Sequence, residues 1–409
     1  TRGQWGGLIV LGNAGLNSSP GVSSIEGIPT TETRGQYGGS DDLDDSGVLR
    51  YVSIRHGGTE IGAGNEINGL TLGGVGSGTE IDNVEVIANM DDGIEFFGGT
   101  VSVTNAMVYG CGDDSYDYDE GWRGQLNSNW VAVASSDDGD RGGEHDGGTS
   151  PETAMPYATP SVNYATFVGK GDARALTFRD NAGGSYSNSV FYNYGSGVDV
   201  EDLTDGEDSY ARLLAGDLNF TNNIVDCGGS LPMVTSAGGD LSDYFTSNGN
   251  STSSDHGVTW DAGYASLAGR ADWASWTLAM MSGRVSPGSA PLGNVDVVDN
   301  VGTGDVYWTS NNVYHLNGGV FVESGTTLHI EAGTVVKGMP GQGESSSYLC
   351  VAQGGKIMAE GTSAAPIIFT FEADPLDGST SLETRGQWGG LIVLGNAGLN
   401  SEPGVSAIE

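Results

Sequence analysis

The stretch Ile81–Val86 (IDNVEV), followed by Asp91–Gly99 (DDGIEFFGG), recurs 22 residues later as Val103–Val108 (VTNAMV), followed by Asp113–Gly121 (DDSYDYDEG). Each unit contains short alternating apolar segments that are broken by Gly, Asn and Asp, with no helical pattern between them. A short repeat of strands and turns cannot bury its apolar side alone and must stack on copies of itself. The sequence therefore predicts an all-β fold, a right-handed parallel β-helix (β-solenoid).

Weaker copies of this unit continue along the chain, and an asparagine recurs in each of them. Asparagine tolerates the left-handed backbone that the corners of a β-helix require. In stacked coils, the side-chain amides can also form hydrogen bonds from coil to coil. One interpretation is therefore a structural ladder at the corners, and the alternative is that asparagine is simply common in turns. The predicted ladder consists of Asn83, Asn105, Asn129, Asn188 and Asn222.

A second and much longer repeat relates the two ends of the sequence. Thr1–Glu26 reappears as Thr384–Glu409, with 24 of the 26 positions identical. Because two positions differ, the copies are distinct segments. The simplest explanation is a polypeptide built of modules about 383 residues long.

Three parts are predicted along the chain. A stretch rich in Gly, Asp and Pro at about 137–160 indicates a long loop. The Ala, Leu, Trp and Met content of residues 261–284 favours a helix, with Asp261 as its N-cap. The predicted parts are residues 1–260 as a β-helix body with that loop, residues 261–293 as a helical cap or module junction, and residues 294–409 as the β-helix start of the next module.

The charge of the chain is strongly negative. Fifteen Lys and Arg residues face 53 Asp and Glu residues, which gives a formal net charge of −38. Nucleic acid and anionic membrane surfaces would be repelled, so we expect no nucleic-acid partner. This acidity is typical of a protein that stays soluble at an exterior surface, or of one whose carboxylates are partly neutralised by divalent cations.

Cysteines and apolar runs exclude two further classes. Cys111, Cys227 and Cys350 form no CxxC pair, which argues against structural zinc and thioredoxin-like redox chemistry. One disulfide with one thiol, or three free thiols, are both open. No apolar run approaches the roughly 20 residues that span a bilayer, so no membrane span is predicted.

Acidic side chains are concentrated in the first two recognisable coils. The 22-residue offset places Asp91 beneath Asp113 and Asp92 beneath Asp114. Like charges about 5 Å apart are unfavourable unless they are solvated, protonated or bridged by a cation. Calcium, which takes about six to eight oxygen ligands, would suit such a stack, and solvated turn acids are the alternative. The candidate calcium ligands are Asp91, Asp92, Asp113, Asp114, Asp117 and Asp119.

Four motifs together resemble a known protein family. They are TRGQWGGLIVL at 384–394, LTLGGVGSG at 70–78, DDGIEFFGG at 91–99 and KGMPGQGESSSYLCVAQGGKIM at 337–358. This set resembles large Gly- and Asp-rich right-handed parallel β-helix proteins that are frequent among Bacteroidota, often surface lipoproteins or cargo of the type IX secretion route. The resemblance implies the fold and an extracellular or cell-surface location. It transfers no catalytic residue.

Three functions remain open at this point. The first is structural: a module or subunit of a surface filament or tandem-repeat stalk, whose partners are copies of itself placed end to end. The second is a surface adhesin that binds extracellular glycans through the loop at 137–160 and through aromatic side chains. The aromatic candidates are Trp5, Tyr116, Trp122 and Trp130.

The third function is that of a polysaccharide lyase or hydrolase. Right-handed β-helices include pectate lyases and polygalacturonases, in which clustered Asp residues bind calcium or act as acid and base. Here Arg174, Arg179 and Asp180 could form such a groove with the acidic cluster. Because analogy of fold is a weak argument for activity, we expect a non-enzymatic protein.

Overall fold

The structure is a computed structural model, and it describes residues 1–26, 28–59, 67–148, 151–204, 207–288, 293–362, 365–376, 379–381 and 384–395. The chain divides into two compact units, Thr1–Ala290 and Pro291–Glu409. Parallel strands dominate both units. Among the described residues, no helix is both long and apolar enough to cross a bilayer.

The first unit consists of short strands with a few short helices. Its strands are β1 (Leu8–Leu11), β2 (Ser23–Ser24), β3 (Gln36–Tyr37), β4 (Val48–Arg55), β5 (Leu70–Gly73), β6 (Glu80–Ile87), β7 (Ile94–Phe97), β8 (Val103–Tyr109), β9 (Tyr116–Asp119), β10 (Asn127–Val133), β11 (Gly143–Asp146), β12 (Ser161–Asn163), β13 (Thr166–Val168), β14 (Arg174–Arg179), β15 (Gly184–Ser187), β16 (Val190–Tyr192), β17 (Ser196–Val200), β18 (Leu218–Thr221), β19 (Ile224–Asp226), β20 (Met233–Thr235), β21 (Thr259–Asp261), β22 (Tyr264–Ser266) and β23 (Val285–Ser286). Its helices are α1 (Ser209–Ala215), α2 (Ser242–Ser247) and α3 (Leu278–Met281), with 3₁₀ turns at Thr33–Gly35 and Asp272–Trp276.

Two parallel sheets carry the first unit. The first sheet has the order β1-β5-β7-β9-β11-β14-β17-β20. In the second sheet, β4, β6, β8 and β10 follow one another, and β10 continues into two short rows, β12-β15-β18 and β13-β16-β19. The chain visits the two sheets in turn, so each circuit adds one strand level to both. This arrangement confirms the predicted all-β parallel β-helix.

Alternation along each strand divides the side chains between the interior and the outer face. In β7, Ile94 and Phe96 are buried in the interior, and their register partners in β9 are Tyr116 and Tyr118. Aromatic rings continue this stack: Tyr116 lies 4.3 Å from Trp130, and Phe96 lies 3.8 Å from Trp122, measured between ring centroids. The core of the first unit is therefore a column of stacked apolar side chains that runs through many coils.

The corners of the second sheet have left-handed backbone. All five asparagines of the predicted ladder adopt positive φ, between 52° and 56°. The side chains form fewer direct links than a full ladder would require. Asn129 Nδ2 donates to Asn105 Oδ1 (2.8 Å), whereas Asn105 Nδ2 donates to Asp82 Oδ1 (2.8 Å) and Asn188 Nδ2 to Asn163 Oδ1 (2.9 Å).

Residues 259–285 lie along the outer face of the second sheet. Their apolar side chains pack against outward residues of that sheet, among them Met107, Val131 and Val133. Polar contacts hold the segment in its middle and near its C-terminal end. Ala279 N donates to Glu85 Oε1 (2.9 Å), and Arg270 Nε donates to Thr166 Oγ1 (2.7 Å). The described part of residues 261–293, which were predicted to form a helical cap or module junction, therefore covers the side of the second sheet.

The prediction of one helix over 261–284 was wrong. Asp261 ends strand β21, which pairs with β22 in an antiparallel hairpin, and Ala262 and Gly263 both adopt positive φ in its turn. Helix is confined to the 3₁₀ turn and α3, where Thr277 Oγ1 accepts from Met280 N. Packing of alternate side chains on the sheet has overridden the helix propensity of this composition. The loop expected at about 137–160 is also interrupted, because it contains β11.

The second unit has the same kind of stacking. Its strands are β24 (Gly293–Asn300), β25 (Asp305–Trp308), β26 (Asn312–Val322), β27 (Thr327–Ile330), β28 (Val335–Gly338), β29 (Tyr348–Val351), β30 (Lys356–Ala359), β31 (Ile368–Phe371) and β32 (Gly390–Val393), with a 3₁₀ turn at Gly343–Ser345. Strand β26 pairs with β28 through its first half and with β29 through its second half. Strands β31 and β32 follow on these two faces, and β25-β27-β30 form a third. Each circuit of this unit therefore has three strand faces.

Candidate acidic site

Acidic side chains form a column on the outer face of the first sheet. Glu95, Asp117 and Glu144 occupy the same register position in β7, β9 and β11. Buried side chains stand beside them in sequence, among them Phe96, Tyr118 and His145, so alternation directs these three carboxylates outward. Parallel pairing then brings each one about 4.8 Å from the next, which is the spacing of neighbouring strands.

Two aspartates in the turns before these strands are stacked as the repeat predicts. Asp114 N donates a hydrogen bond to Asp92 Oδ1 (2.8 Å), and Arg141 N donates to Asp114 Oδ1 (2.6 Å). Each carboxylate thus accepts from the backbone of the following coil. Asp114 is only 1% exposed. We define the acidic site as Asp92, Glu95, Asp114, Asp117, Glu144 and Asp146.

Within the part of the chain that the structure describes, three groups of carboxylates have oxygen atoms close enough to share a cation. In each group, one oxygen from every member lies within 4.8 Å of the others. The groups bring together five of the six candidate ligands. They are Asp91, Asp92 and Asp113; Asp92, Glu95 and Asp117; and Asp113, Asp114 and Asp140.

The sixth candidate, Asp119, is outside these groups and lies in register with Phe97. Glu95 was not predicted from the sequence, although it occupies the same place in its coil as Asp117, at the same 22-residue offset. Glu144 and Asp146 were not predicted either, because the spacing of the next coil is longer and their segment has the composition of a loop.

Two of the described arginines contact the acidic site. Arg179 Nε and Nη2 donate to the two oxygens of Asp146 (2.7 and 3.1 Å), and Arg179 Nη2 also lies 3.0 Å from Glu144 Oε2. Arg141 Nη1 lies 3.0 Å from Glu144 Oε1 and 3.3 Å from Asp114 Oδ2. Arg179 therefore belongs to this site. The neighbouring candidates are elsewhere: Arg174 pairs with Asp199, and Asp180 N donates to Glu201.

The arginines do not balance the negative charge. Burial, followed by repulsion from neighbouring carboxylates, raises the pKa of Asp92, Glu95 and Asp117 well above ordinary values. Burial also raises the pKa of Asp114 to about 7, with Glu144 adding repulsion. The pKa of Asp146 is likewise about 7 because of burial, even though Arg179 opposes the shift. The site therefore favours protons or another cation.

Two oxygens at or beside this site have neither a hydrogen-bond partner nor an ion pair among the described residues. One is the buried Oδ1 of Asp117, and the other is Oδ1 of Asn68, a residue that is 1% exposed. A third, Glu144 Oε1, also lacks a hydrogen bond but lies 3.0 Å from Arg141 Nη1. Asn68 is adjacent to the column, because its Nδ2 donates to Glu95 Oε2. Buried polar atoms in native proteins are generally paired, so these oxygens are available to a ligand. Carboxylate and amide oxygens are the donors that calcium prefers.

Most of the aromatic side chains proposed to bind sugars are buried in the core. Trp122, Trp130 and Tyr116 are at most 1% exposed, so Trp5, at 45%, is the one of the four aromatic candidates that a sugar could reach. His145 stacks on Tyr118 inside the helix, and burial lowers its pKa to about 3, so it is neutral. The three cysteines are free.

The geometry described above agrees with a family model. The pectate-lyase-like β-helix domain matches residues 1–277 and 300–409, which is most of the chain. The chain belongs to this family. Comparison of this β-helix domain with curated proteins and with solved structures gave no match.

Proposed function

We propose that the chain is a module of an extracellular fibre or stalk that is built from tandem copies of one solenoid unit. The observation that carries this proposal is the placement of the duplicated segment. The first copy provides β1 at one end of a parallel sheet, and the second copy provides β32 at one end of another. Among the residues that the structure describes, the same sequence thus forms a terminal strand in both units.

A terminal strand of a solenoid has an unpaired edge and leaves apolar side chains uncovered. Leu391 and Val393 of β32 are 43% and 62% exposed. Their counterparts in the first copy, Leu8 and Val10, pack against the interior core. These residues are therefore suited to the inside of a longer stack. A tandem array provides the missing coil.

The acidic site is suited to binding a cation between successive coils of the module. We propose calcium at Asp92, Glu95 and Asp117, with Asn68 beside them. The buried, unpartnered oxygens of Asp117 and Asn68 support this assignment, together with carboxylate pKa values that burial has raised. Calcium would neutralise successive coils and so stabilise the stack.

The exterior location rests on the acidic charge and on the resemblance to secreted Bacteroidota-type surface proteins. A net charge of −38 keeps long assemblies soluble and separate. A surface fibre must also resist extracellular proteases. A continuous β-helix achieves this resistance because nearly all of its backbone amides are paired between coils.

Electron microscopy of the native protein on intact producing cells tests the fibre. We expect fibres or stalks with an axial repeat equal to one module, labelled on unpermeabilised cells by an antibody against residues 1–290. The same antibody on lysed cells is the control for intracellular protein. Short dispersed particles, or labelling only after lysis, would contradict the proposal.

A polysaccharide lyase or hydrolase is the second candidate function. The specific observation in its favour is that Arg179 lies within hydrogen-bond distance of Asp146 and Glu144, beside carboxylates whose pKa values are raised by burial. The family description also allows it. This candidate predicts that a panel of acidic polysaccharides, assayed for new reducing ends and for unsaturated products with and without calcium, shows activity that Arg179→Ala abolishes. Wild-type protein without activity on the whole panel would eliminate this candidate.

A further inference from the structure

The duplicated segment pairs with different strands in its two positions. In the first unit, Leu8, Ile9 and Val10 of β1 lie opposite Leu70, Thr71 and Leu72 of β5. In the second unit, the equivalent residues Leu391, Ile392 and Val393 lie opposite Leu349, Cys350 and Val351 of β29. Strand β5 follows β1 along the chain, whereas β29 precedes β32. The same strand is thus seen once with its following neighbour and once with its preceding neighbour.

The interior side chains agree in both positions. Leu349 and Val351 are buried in the core of the second unit, and Leu70 and Leu72 are buried in the core of the first. Leu8 and its copy Leu391 therefore lie in the row of interior residues each time. A shift of one residue would place these side chains on the outer face. The two pairings can exist on one strand without any change of register.

We propose, as an extension of the tandem-module function, that β29, the duplicated strand and β5 form one continuous sheet across each module junction. The rows are Leu349–Leu391–Leu70, Cys350–Ile392–Thr71 and Val351–Val393–Leu72, with the third member of each row contributed by the following module. The partner is therefore a second copy of the first unit. It begins where the second unit ends.

The other two faces of the last coil have matching partners. As far as the described residues show, strands β30 and β31 are terminal in their rows of the second unit, and β4 is terminal in the second sheet of the first unit. Going round one circuit from the duplicated strand, the chain reaches the first half of β4 and then, after the left-handed corner at Tyr51, its second half. In the following module, the first half stacks on β30 and the second half stacks on β31. All three open faces are then covered.

A circular permutant tests this junction directly. Residues 291–409 are followed by residues 27–290, so that Glu409 joins Gly27 as Glu26 does in the chain. Every residue of one period is kept, and only the first copy of the repeat is removed. We expect one cooperative thermal transition at a higher Tm than either transition of the 409-residue chain. A permutant that still unfolds in two steps would contradict a continuous solenoid.

Cysteine cross-linking tests the register. In the permutant, Ile392→Cys and Thr71→Cys, with Cys350→Ser to remove a competing thiol, are expected to form a disulfide at monomer mass on mild oxidation. The same three substitutions in the 409-residue chain are the control, because Thr71 there lies opposite Ile9. Replacing Thr71→Cys by Glu95→Cys, one coil farther on, is the matched negative. A folded permutant that cross-links through Glu95→Cys instead would overturn the proposed register.

A second engineered protein tests the same junction without circular permutation. The 409-residue chain followed by residues 27–290 retains both copies of the repeat and places Thr71→Cys in the added part only. It is expected to cross-link to Ile392→Cys in the same way, and reduced thiols after oxidation of this folded protein would contradict the junction. Fibre formation is measured separately on native material. A cross-linked junction without native fibres would retain the register and remove the proposed fibre.

Discussion

Replacing Trp130 with alanine is expected to lower the free energy of unfolding of the first unit by about 3–5 kcal/mol. Trp130 is 1% exposed, and its ring stacks on Tyr116 with the centroids 4.3 Å apart. Its Nε1 also donates to Val103 O (2.9 Å). The substitution leaves a cavity between coils and removes this hydrogen bond, and the neighbouring rings are held by the sheets and cannot close the gap.

Urea denaturation followed by circular dichroism measures this effect. Leu126→Ala is the control, because Leu126 is 76% exposed and its truncation is expected to change stability by less than about 0.5 kcal/mol. Equal urea midpoints for Trp130→Ala and Leu126→Ala would show that the aromatic column does not carry the stability of this unit.

Metal-free protein is expected to lose stability as the pH rises from about 4 to about 7. Burial raises the pKa of Asp114 from 3.8 to about 7, so the folded state binds this proton more tightly than the unfolded state does. The stabilisation is complete below the unfolded pKa and is lost as the pH rises through the folded pKa. For a shift of roughly three units, the loss is on the order of 4 kcal/mol from this group alone.

Thermal unfolding of chelator-treated protein across this pH range provides the measurement. Calcium is expected to raise the Tm strongly at pH 8, where the carboxylates must be ionised, and weakly at pH 5, where protons compete. Asp117→Asn should reduce the calcium effect, while Asp243→Asn, on the exposed surface of α2, should leave it unchanged. A Tm independent of pH and calcium would contradict both the pKa shifts and the proposed cation.

The local repeat was sufficient to predict the fold. Alternation of apolar residues sets the two faces of each strand, and a constant offset between coils sets the parallel register, so Ile94 above Tyr116 follows from counting residues. The position of the asparagines at the corners could be predicted because asparagine tolerates left-handed backbone. Tyr51 and Tyr164 occupy the equivalent corners in other coils, and nothing in their residue type predicts positive φ.

The acidic site was only partly predictable. Asp92, Asp114 and Asp117 lie in coils of equal length, where counting is reliable. Glu144 lies one coil farther, after a longer turn, and the number of residues in a turn does not determine which strand level follows it. The prediction of a helix in the segment at 259–285 was wrong for another reason. Its composition favours a helix, but its structure depends on packing against an apolar strip on the outer face of the second sheet. That strip is formed by residues far away in the sequence, so the segment's own residues do not reveal it.

Residues 259–285 also affect whether neighbouring solenoids can associate side by side. Met107, Val131 and Val133 form an apolar strip on the outside of the second sheet, and residues 259–285 are what shields it from water. Large exposed apolar strips on flat sheets promote side-by-side adhesion of molecules. A module that lost residues 259–285, for example by proteolysis near Gly257, would expose this apolar strip to solvent and to other molecules. In the proposed tandem assembly, residues 259–285 would therefore prevent lateral association of solenoids while leaving their ends free to stack.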